Sequence, residues 1–360
     1  AVAAYRTGAD RGDAACQYGL GMLFCNGEDE EVRYAVSCLE QAAKQGHRLA
    51  QYELASLYWY GRSVKKDRRR AMELYRHSAE QGYGLSMCAL GEAYLEEQDY
   101  AQAVLWLEKA VEKKEPKVYY LLGNCYENGY GVERDVRRAC EFYSLAGNDA
   151  QARKAMLRLA ESGNAFAQLK LGSSLFHSDA QGEEEEQENR QAAVWLQKAA
   201  EQGDAEAQYR LGRLHYETGR EPDSLQTAVQ WFEKSAEQNY LDGLRNLAFC
   251  YAFGDGVKSS KSKSQELYRR AFPICLELAE QGNSSAIALM AKSYWLGQGI
   301  KRDFTLAAHW YEKSAEFGDL EAMCRLGEFY ERGQGVPKDA AAAAEWYRKA
   351  SNHGSPSGLY

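Results

Sequence analysis

Proline is scarce in this chain, 5 residues in 360, and no apolar run approaches the length needed to span a bilayer, although 45% of the residues are hydrophobic. The first absence leaves long stretches free to be helical. The second argues against a transmembrane segment, while the apolar share is ample for a core. A basic excess is also missing: Lys+Arg 44 against Asp+Glu 52 gives a net charge of -8, which removes the electrostatic footprint of a nucleic-acid partner. The alternating pattern of half-buried strands is absent as well. The nine cysteines (Cys16, Cys25, Cys38, Cys88, Cys125, Cys140, Cys250, Cys275 and Cys324) are odd in number and scattered, and no Cys-x-x-Cys or His-x-x-x-His spacing occurs. The six histidines, His47, His77, His177, His215, His309 and His353, are equally dispersed. These patterns give no disulfide framework, metal site or cofactor. The cysteines are expected to be free, mostly buried, small apolar residues, which favours a cytoplasmic, reducing compartment. A signal peptide removed ahead of Ala1 would instead place the chain in the periplasm or outside the cell.

What the chain does have is a repeat. Gly203-Asp-Ala-Glu-Ala-Gln-Tyr-Arg-Leu-Gly212 returns in recognisable form from Gly12, Gly46, Gly163 and Gly318, with weaker copies from Gly82, Glu115, Asn239 and Gly282. The step is 36 residues from 46 to 82, from 203 to 239, from 282 to 318 and from 318 to 354. A second frame, Ala-x-x-Trp/Leu-Tyr/Phe-x-x-Ser/Ala-Ala, follows each first one, as at Ala71 to Ala79, Ala228 to Ala236 and Ala307 to Ala315. Apolar residues at three- and four-residue steps put one stripe on each of two helices. Between the frames lies a turn such as Gly129-Tyr-Gly131-Val132-x-x-Asp135, Gly297-Gln-Gly299-Ile300-x-x-Asp303 or Gly333-Gln-Gly335-Val336-x-x-Asp339. Its glycines suit positive backbone angles, its Val or Ile can plug the core, and its Asp can cap the second helix.

These three motifs, the Ala-x-x-x-Leu-Gly-x-x-Tyr frame, the Gly-x-Gly-Val loop and the Ala-x-x-Trp-Tyr-x-x-Ala-Ala frame, resemble the Sel1-like repeat, a relative of the tetratricopeptide repeat. The resemblance runs through about nine copies and nearly the whole chain. It implies an all-α, right-handed α-solenoid of antiparallel helix pairs, about nineteen to twenty-one helices in all, and a bacterial adaptor that holds a protein or peptide.

Departures from the frame set the expected organisation. Copy three lacks the Gly-x-Gly-Val loop (Tyr94 to Ala101), and copy four is followed by extra residues that read as an added helix. The chain is therefore divided into a sub-array at 1–147, an inserted helix at 148–162 and a second sub-array at 163–360. Ser178 to Glu188, with Glu183 to Glu186, reads as a solvated loop. In copy seven, Glu266 to Gln281 lengthens the second helix by about two turns, with Pro273 as a kink. Ala1 to Arg11 matches a second helix without its first, and Gly354 to Tyr360 opens a further copy, so the natural chain is expected to extend further.

No acid, base and nucleophile set emerges, so the chain is read as no enzyme. The Gly-x-Gly loops follow a helix and lack the strand and lysine of a nucleotide site. Lys65 to Arg70 reads as a solvated face. The first helices of such stacks line the concave side, and the register of the Leu-Gly pair points Tyr18, Tyr52, Trp59, Tyr60, Tyr120, Phe166, Phe176, Tyr209, Tyr216, Phe249, Phe253 and Trp295 into it. Aromatic residues in such a groove are candidate partner anchors. The alternative use of these rings is packing between copies. Of the functional readings, a protein-interaction scaffold leads; a carbohydrate or cell-wall glycan module and a toxin-neutralising immunity or inhibitor protein are the alternatives.

Overall fold

A computed structural model describes residues 2–25, 29–147, 149–176, 182–219 and 223–352. Among them are twenty α-helices and no strand. The chain divides into two compact units, Ala1–Ser162 and Gly163–Tyr360. The first unit holds α1 (Val2–Asp10), α2 (Ala14–Phe24), α3 (Asp29–Lys44), α4 (Arg48–Tyr60), α5 (Arg68–Glu80), α6 (Gly84–Glu96), α7 (Tyr100–Glu112), α8 (Pro116–Asn128), α9 (Val136–Leu145) and α10 (Ala150–Glu161). The second holds α11 (Ala165–Phe176), α12 (Glu183–Glu201), α13 (Ala205–Thr218), α14 (Ser224–Glu237), α15 (Leu241–Phe253), α16 (Lys261–Glu280), α17 (Ser284–Leu296), α18 (Phe304–Glu316), α19 (Leu320–Arg332) and α20 (Ala340–Asn352). In each unit consecutive helices pack against one another, first helix on second and second on the next first, which makes an all-α repeat solenoid. First helices also meet directly along their row, at α6 with α8, α11 with α13, and α13 with α15.

The helix ends follow from the punctuation residues. Asp67, Asp135 and Asp303 accept from the backbone N–H groups of Arg70, Arg138 and Leu306 at 3.0 Å, capping second helices as the loop motif predicts. Gly61, Gly129, Gly254, Gly297 and Gly333 close first helices in the left-handed conformation. Val257 and Val336 of the loops pack against the cores of the second unit.

Two sets of glycines carry the packing. In the Leu-Gly pair, a methyl on Gly21, Gly91 or Gly172 would fall 2.6 Å from the side chain of Leu39, Leu107 or Leu196 on the paired second helix. Only a residue without a side chain lets the two backbones come that close. The second glycine of the loop joins one copy to the one before. A methyl on Gly131, Gly256, Gly299 or Gly335 would enter the backbone at Tyr100, Leu225, Tyr268 or Phe304, each on the preceding second helix.

A glutamine ladder closes the other end of each pair. Gln51 Nε2 donates to the Ala43 carbonyl (3.3 Å) while its Oε1 accepts from Gln81 Nε2 (2.7 Å). Gln208 repeats this with Ala200 (3.1 Å) and Gln238 (2.9 Å). A buried amide satisfied on both sides fixes register, because a slip would orphan it.

The irregular segments behave in different ways. The added helix is α10, packed on α8 and α9. Copy three turns directly between α6 and α7, with Gln98 at φ 61°. α16 is 20 residues long, with Pro273 inside it; its extra turns bury Cys275 and Ala279 in the core shared with α17 and α18. The reading of Glu183 to Glu186 as a loop is corrected: they form the first turn of the 19-residue α12. Four carboxylates at a helix N-terminus are stabilised by the exposed N–H groups and the macrodipole, so a charge run there favours helix. Ser178 to Gln181, and Gly354 to Tyr360 at the chain's end, lie outside the described residues. All nine cysteines are free thiols, with Cys38, Cys88, Cys125, Cys140, Cys250 and Cys275 buried.

The two kinds of glycine strain can be separated by substitution. Gly282 has φ 85° and open space around it, whereas Gly299 has φ 74° and the backbone of α16 against it. Gly282→Ala is expected to cost about 1–2 kcal/mol, the left-handed penalty alone. Gly299→Ala adds about 1–3 kcal/mol of overpacking. Urea midpoints at constant m-value measure both, and equal losses would show that the loop does not bear on the preceding copy.

Candidate functional site on the first-helix row

Among the described residues no group of three or more His, Cys, Asp or Glu side chains is disposed to hold a metal, and no helix is long and apolar enough to cross a membrane. The candidate site is therefore a surface, and the twelve aromatic residues of the sequence reading divide by what they touch. Trp59 is 6% exposed and packed in the core of its copy, with the Arg68 guanidinium over its ring at 4.8 Å. Burial corrects its reading as a groove-lining side chain, since little of the ring is left to offer. Tyr216 packs against the α14–α16 core and donates to Asp255 Oδ2 at 2.7 Å, which ties copy six to the loop of copy seven. Burial, then that bond, push its hydroxyl up to about 12. Phe166 and Phe176 are half-buried against the core of α11–α13, and Trp295 against that of α17–α19 with Arg325 over it at 4.3 Å. Tyr120 is half-buried, its ring 6.1 Å from that of Tyr143.

Three of the twelve are open to solvent: Tyr60 at 59%, Phe249 at 43% and Phe253 at 68%. Phe249 and Phe253 sit one helical turn apart on α15 with ring centroids 4.5 Å from each other, an exposed apolar pair. Tyr60, the last residue of α4, carries Arg62 over its ring at 5.4 Å.

The remaining three, Tyr18, Tyr52 and Tyr209, share a device absent from the sequence reading. Each lies two residues before the Leu of its copy, and each meets a ring from the residue that opens the next first helix. Tyr18 stacks on His47 (4.9 Å), Tyr52 meets Tyr83 edge-on (5.3 Å), and Tyr209 lies against Tyr240 (5.6 Å). The opening slot in other copies holds a capping Asp or Asn, as at Asp204, Asn283 and Asp319, with Glu115 of α8 a further uncapped exception. Tyr83 and Tyr240 make no side-chain cap bond there. A lost cap costs about 0.5–2 kcal/mol, offset here by ring–ring contact between copies. The signal was in the sequence: an aromatic residue directly after Gly82 and Asn239, where the frame expects Asp or Asn.

The electrostatics of the row differ between the units. In the first, Glu53 is half-buried, and burial pushes its carboxyl up. Burial first, and the Glu53 carboxylate second, raise the hydroxyls of Tyr18 and Tyr52. In the second unit Asp242 is pushed up by burial and held down by Arg245 and Arg210. There Arg210 pairs with Glu206, Arg213 with Glu217, and Lys292 with Glu321 at 2.9 Å.

With this geometry in hand the chain can be compared with known proteins. Nine segments, residues 14–47, 48–83, 84–114, 116–149, 165–204, 205–240, 241–272, 284–319 and 320–355, match the Sel1 repeat. The chain belongs to the Sel1 repeat family, whose repeats are protein-interaction modules. α10 and the last turns of α16 lie outside the matched segments. Among curated proteins it is 29% identical over 243 residues to chitin synthase regulatory factor 3 of Schizosaccharomyces pombe, covering 64% of this chain and 24% of that one. It is 27% identical over 290 residues to the ERAD-associated E3 ubiquitin-protein ligase component HRD3B of Arabidopsis thaliana, covering 79% and 44%. The chain thus spans less than half the length of either relative. Among solved structures, a Sel1 repeat protein from Oxalobacter formigenes aligns over 98% of this chain and 87% of its own, with 27% identity and a TM-score of 0.43.

His47 gives the row a pH-sensitive contact. Its Nδ1 accepts the Ala50 N–H at 3.2 Å as the cap of α4 while its ring stacks on Tyr18. Burial, then Arg48, lower its pKa against an opposing pull from Asp13. Protonation removes the acceptor, so the folded chain keeps His47 neutral further into acid than the unfolded chain does. The stability this contributes is complete above the ordinary histidine value of about 6.5 and is lost as pH falls from there through the lowered folded value. Replacing His47 by Asn, a capping residue without that titration, is expected to flatten the fall in Tm between about pH 6.5 and 5. Thermal melts of both proteins across that range test it, and parallel curves would remove His47 as the source.

Proposed function

We propose that this chain is a non-enzymatic scaffold that holds a protein or peptide partner on the concave, first-helix face of its repeats. The observation that carries the reading is the exposed apolar pair Phe249 and Phe253 on α15, together with exposed Tyr60 on α4. The Sel1 frame does not need these rings for packing, because its own Leu, Gly and Ala positions already fill the cores. Solvent-exposed aromatic pairs on a repeat surface are the kind of anchor that interfaces use. The regulatory and assembly roles in the names of the curated relatives are of the same class. Tyr18, Tyr52, Tyr120, Phe166, Phe176, Tyr209 and Trp295 form the half-buried flanks of this face, and Trp59 and Tyr216 hold the copies beneath it. The division into sub-arrays 1–147 and 163–360, joined by the inserted helix 148–162, belongs to the same proposal: it offers two recognition surfaces within one chain.

The test begins with affinity capture by the purified chain, followed by direct titration of each recovered protein in pure form. Phe249→Ala/Phe253→Ala is expected to keep helicity and Tm and to weaken the interaction by about 2 kcal/mol or more. Unchanged affinity, with the partner instead sensitive to changes on the second helices, would reject the concave face. Binding of soluble glycan fragments in place of any protein would reject the scaffold.

A further inference from the structure

One connection in the second unit lacks the parts that let the others seal their neighbour. The loops of copies four, seven and nine lie on the second helix of the copy before: Gly131, Gly256 and Gly335 come against the backbone at Tyr100, Leu225 and Phe304. One turn further along those helices, Val104, Val229 and Ala308 are buried. Val257 and Val336, each directly after the loop glycine, pack against the cores. The connection of copy six, between Gly219 and Asp223, reads Arg220-Glu221-Pro222 and contains neither a second glycine nor a Val or Ile.

The surface beneath that connection differs in step with it. In the Ala-x-x-Trp frame of α12, Asn189 stands where Leu225 stands in α14, and Ala193 where Val229 stands. Ala193 is the smaller residue and is only half-buried. Phe176 of α11 takes the place of Tyr216, whose hydroxyl ties down the copy-seven loop at Asp255; a phenyl ring has no such bond to make. Among the described residues a cavity of about 590 Å³ opens at this point. Its apolar lining is Leu175, Phe176 and Ala193, which pack on the α11–α13 core, with buried Leu214. α12 is 19 residues long against 14 for α14, and Glu185 and Glu186, in its extra length, form one wall. Arg190 lines the cavity too, its Nε donating to the Glu186 carbonyl at 3.2 Å. On the α13 side, Glu217 is already bound by Arg213 at 2.8 Å, and burial holds His215 toward its neutral form.

An apolar cavity with an acidic wall, at the place where a loop sits in other copies, matches the chemistry that this chain's own loops carry. In four of them the aliphatic residue is followed by a base: Val64 by Lys65, Val257 by Lys258, Ile300 by Lys301, and Val336 by Lys338 after Pro337. We propose that the loop edge of copies five and six is a receptor for a tight turn of a partner protein, one that carries a Val or Ile followed by a Lys. The aliphatic side chain enters over Leu175, Phe176, Ala193 and Leu214, and the lysine meets Glu185 and Glu186. Affinity comes from giving these apolar residues the cover that Val229 and Ala308 have. The charges add orientation more than strength. The inference rests on the scaffold reading for the kind of occupant, a protein, and narrows it to one site and one motif.

The probe is a fluorescein-labelled cyclic peptide carrying Gly-Asp-Gly-Val-Lys-Ser, the sequence of 254–259, read by fluorescence anisotropy on the full chain. It is expected to bind, and the same peptide with Ser for Val to bind about tenfold more weakly or worse. Ala193→Leu, which fills the cavity from within, should lose about tenfold or more of the Val peptide with Tm unchanged or higher. Glu185→Gln/Glu186→Gln, on an exposed turn that folding does not depend on, should weaken the lysine peptide about threefold or more. The same double variant should leave an acetyl-lysine peptide unaffected. The inference is overturned by Val and Ser peptides of equal affinity, by a folded Ala193→Leu that binds as wild type does, or by no binding at millimolar concentration. Should Ala193→Leu not fold, the glutamate pair decides: wild-type affinity of the lysine peptide for that variant overturns it too. In any of these cases a partner whose affinity still depends on Phe249 and Phe253 leaves the scaffold reading standing. Loss of that dependence as well would remove both.

Discussion

Most copies in this chain depend on one close approach. Where a first helix carries the Leu-Gly pair, it faces the second helix across a gap that a single methyl group would overfill, as at Gly91 against Leu107 and Gly172 against Leu196; Ala55, Ala248 and Ala291 take the glycine's place in three copies. Because the helices meet there at a residue without a side chain, the flanking Leu can be fully buried, as Leu20, Leu90, Leu122 and Leu211 are. The loop glycine repeats the same logic one level up. It brings the turn of one copy onto the backbone of the copy before, as Gly335 does at Phe304. Van der Waals contact of this closeness has no give, so the frame's small residues fix both the pair and its neighbour. The larger side chains are then free to differ from copy to copy.

That division explains what could be read from the sequence and what could not. The glycines, the Asp caps and the Ala positions recur at a fixed step because packing demands them, and the helices, their pairing and the added helix α10 were all legible from them. The Gln at the third position before Leu was visible in the frame as Gln17, Gln51, Gln168 and Gln208, but its role was not. Its partners, such as Gln45 and Gln81, lie about thirty residues away at the end of the paired helix, and only the fold brings them together. The charge run at Glu183 failed as a loop because composition was weighed without position: at the start of a helix, acidity is helix-favouring.

The candidate site was less legible for a physical reason. Helical register says which side of a helix a ring points to. It does not say whether a side chain from another helix covers it. Trp59 and Tyr60 are adjacent in sequence, yet one is 6% exposed and the other 59%. Arg68, from the start of the next helix, lies over Trp59, whereas Tyr60 ends α4 and faces outward. Phe249 and Phe253 stay open while Tyr209, at another first-helix position of the same unit, is closed in by Phe232 and Tyr240. Exposure is thus set by side chains from other helices, the paired second helix as well as the next copy.

The aromatic openings of α4, α6 and α15 show how this family of contacts can be tuned. A capping Asp satisfies the first N–H groups of its own helix. An aromatic residue in the same slot gives up that bond, or, in His47, keeps it through Nδ1, and contacts the ring of the previous copy. The exchange moves stabilisation from within a helix to between two copies, and from a polar bond to an apolar contact. It also changes the surface, since the cap carboxylate disappears from the row and a ring face takes its place. At Tyr240 the same exchange sits beside Asp242, whose charge Arg245 and Arg210 oppose. One substitution type, repeated at equivalent slots, therefore sits among different charges in the two units: burial raises the carboxyl of Glu53 in the first and of Asp242 in the second, and only at Asp242 do arginines oppose it.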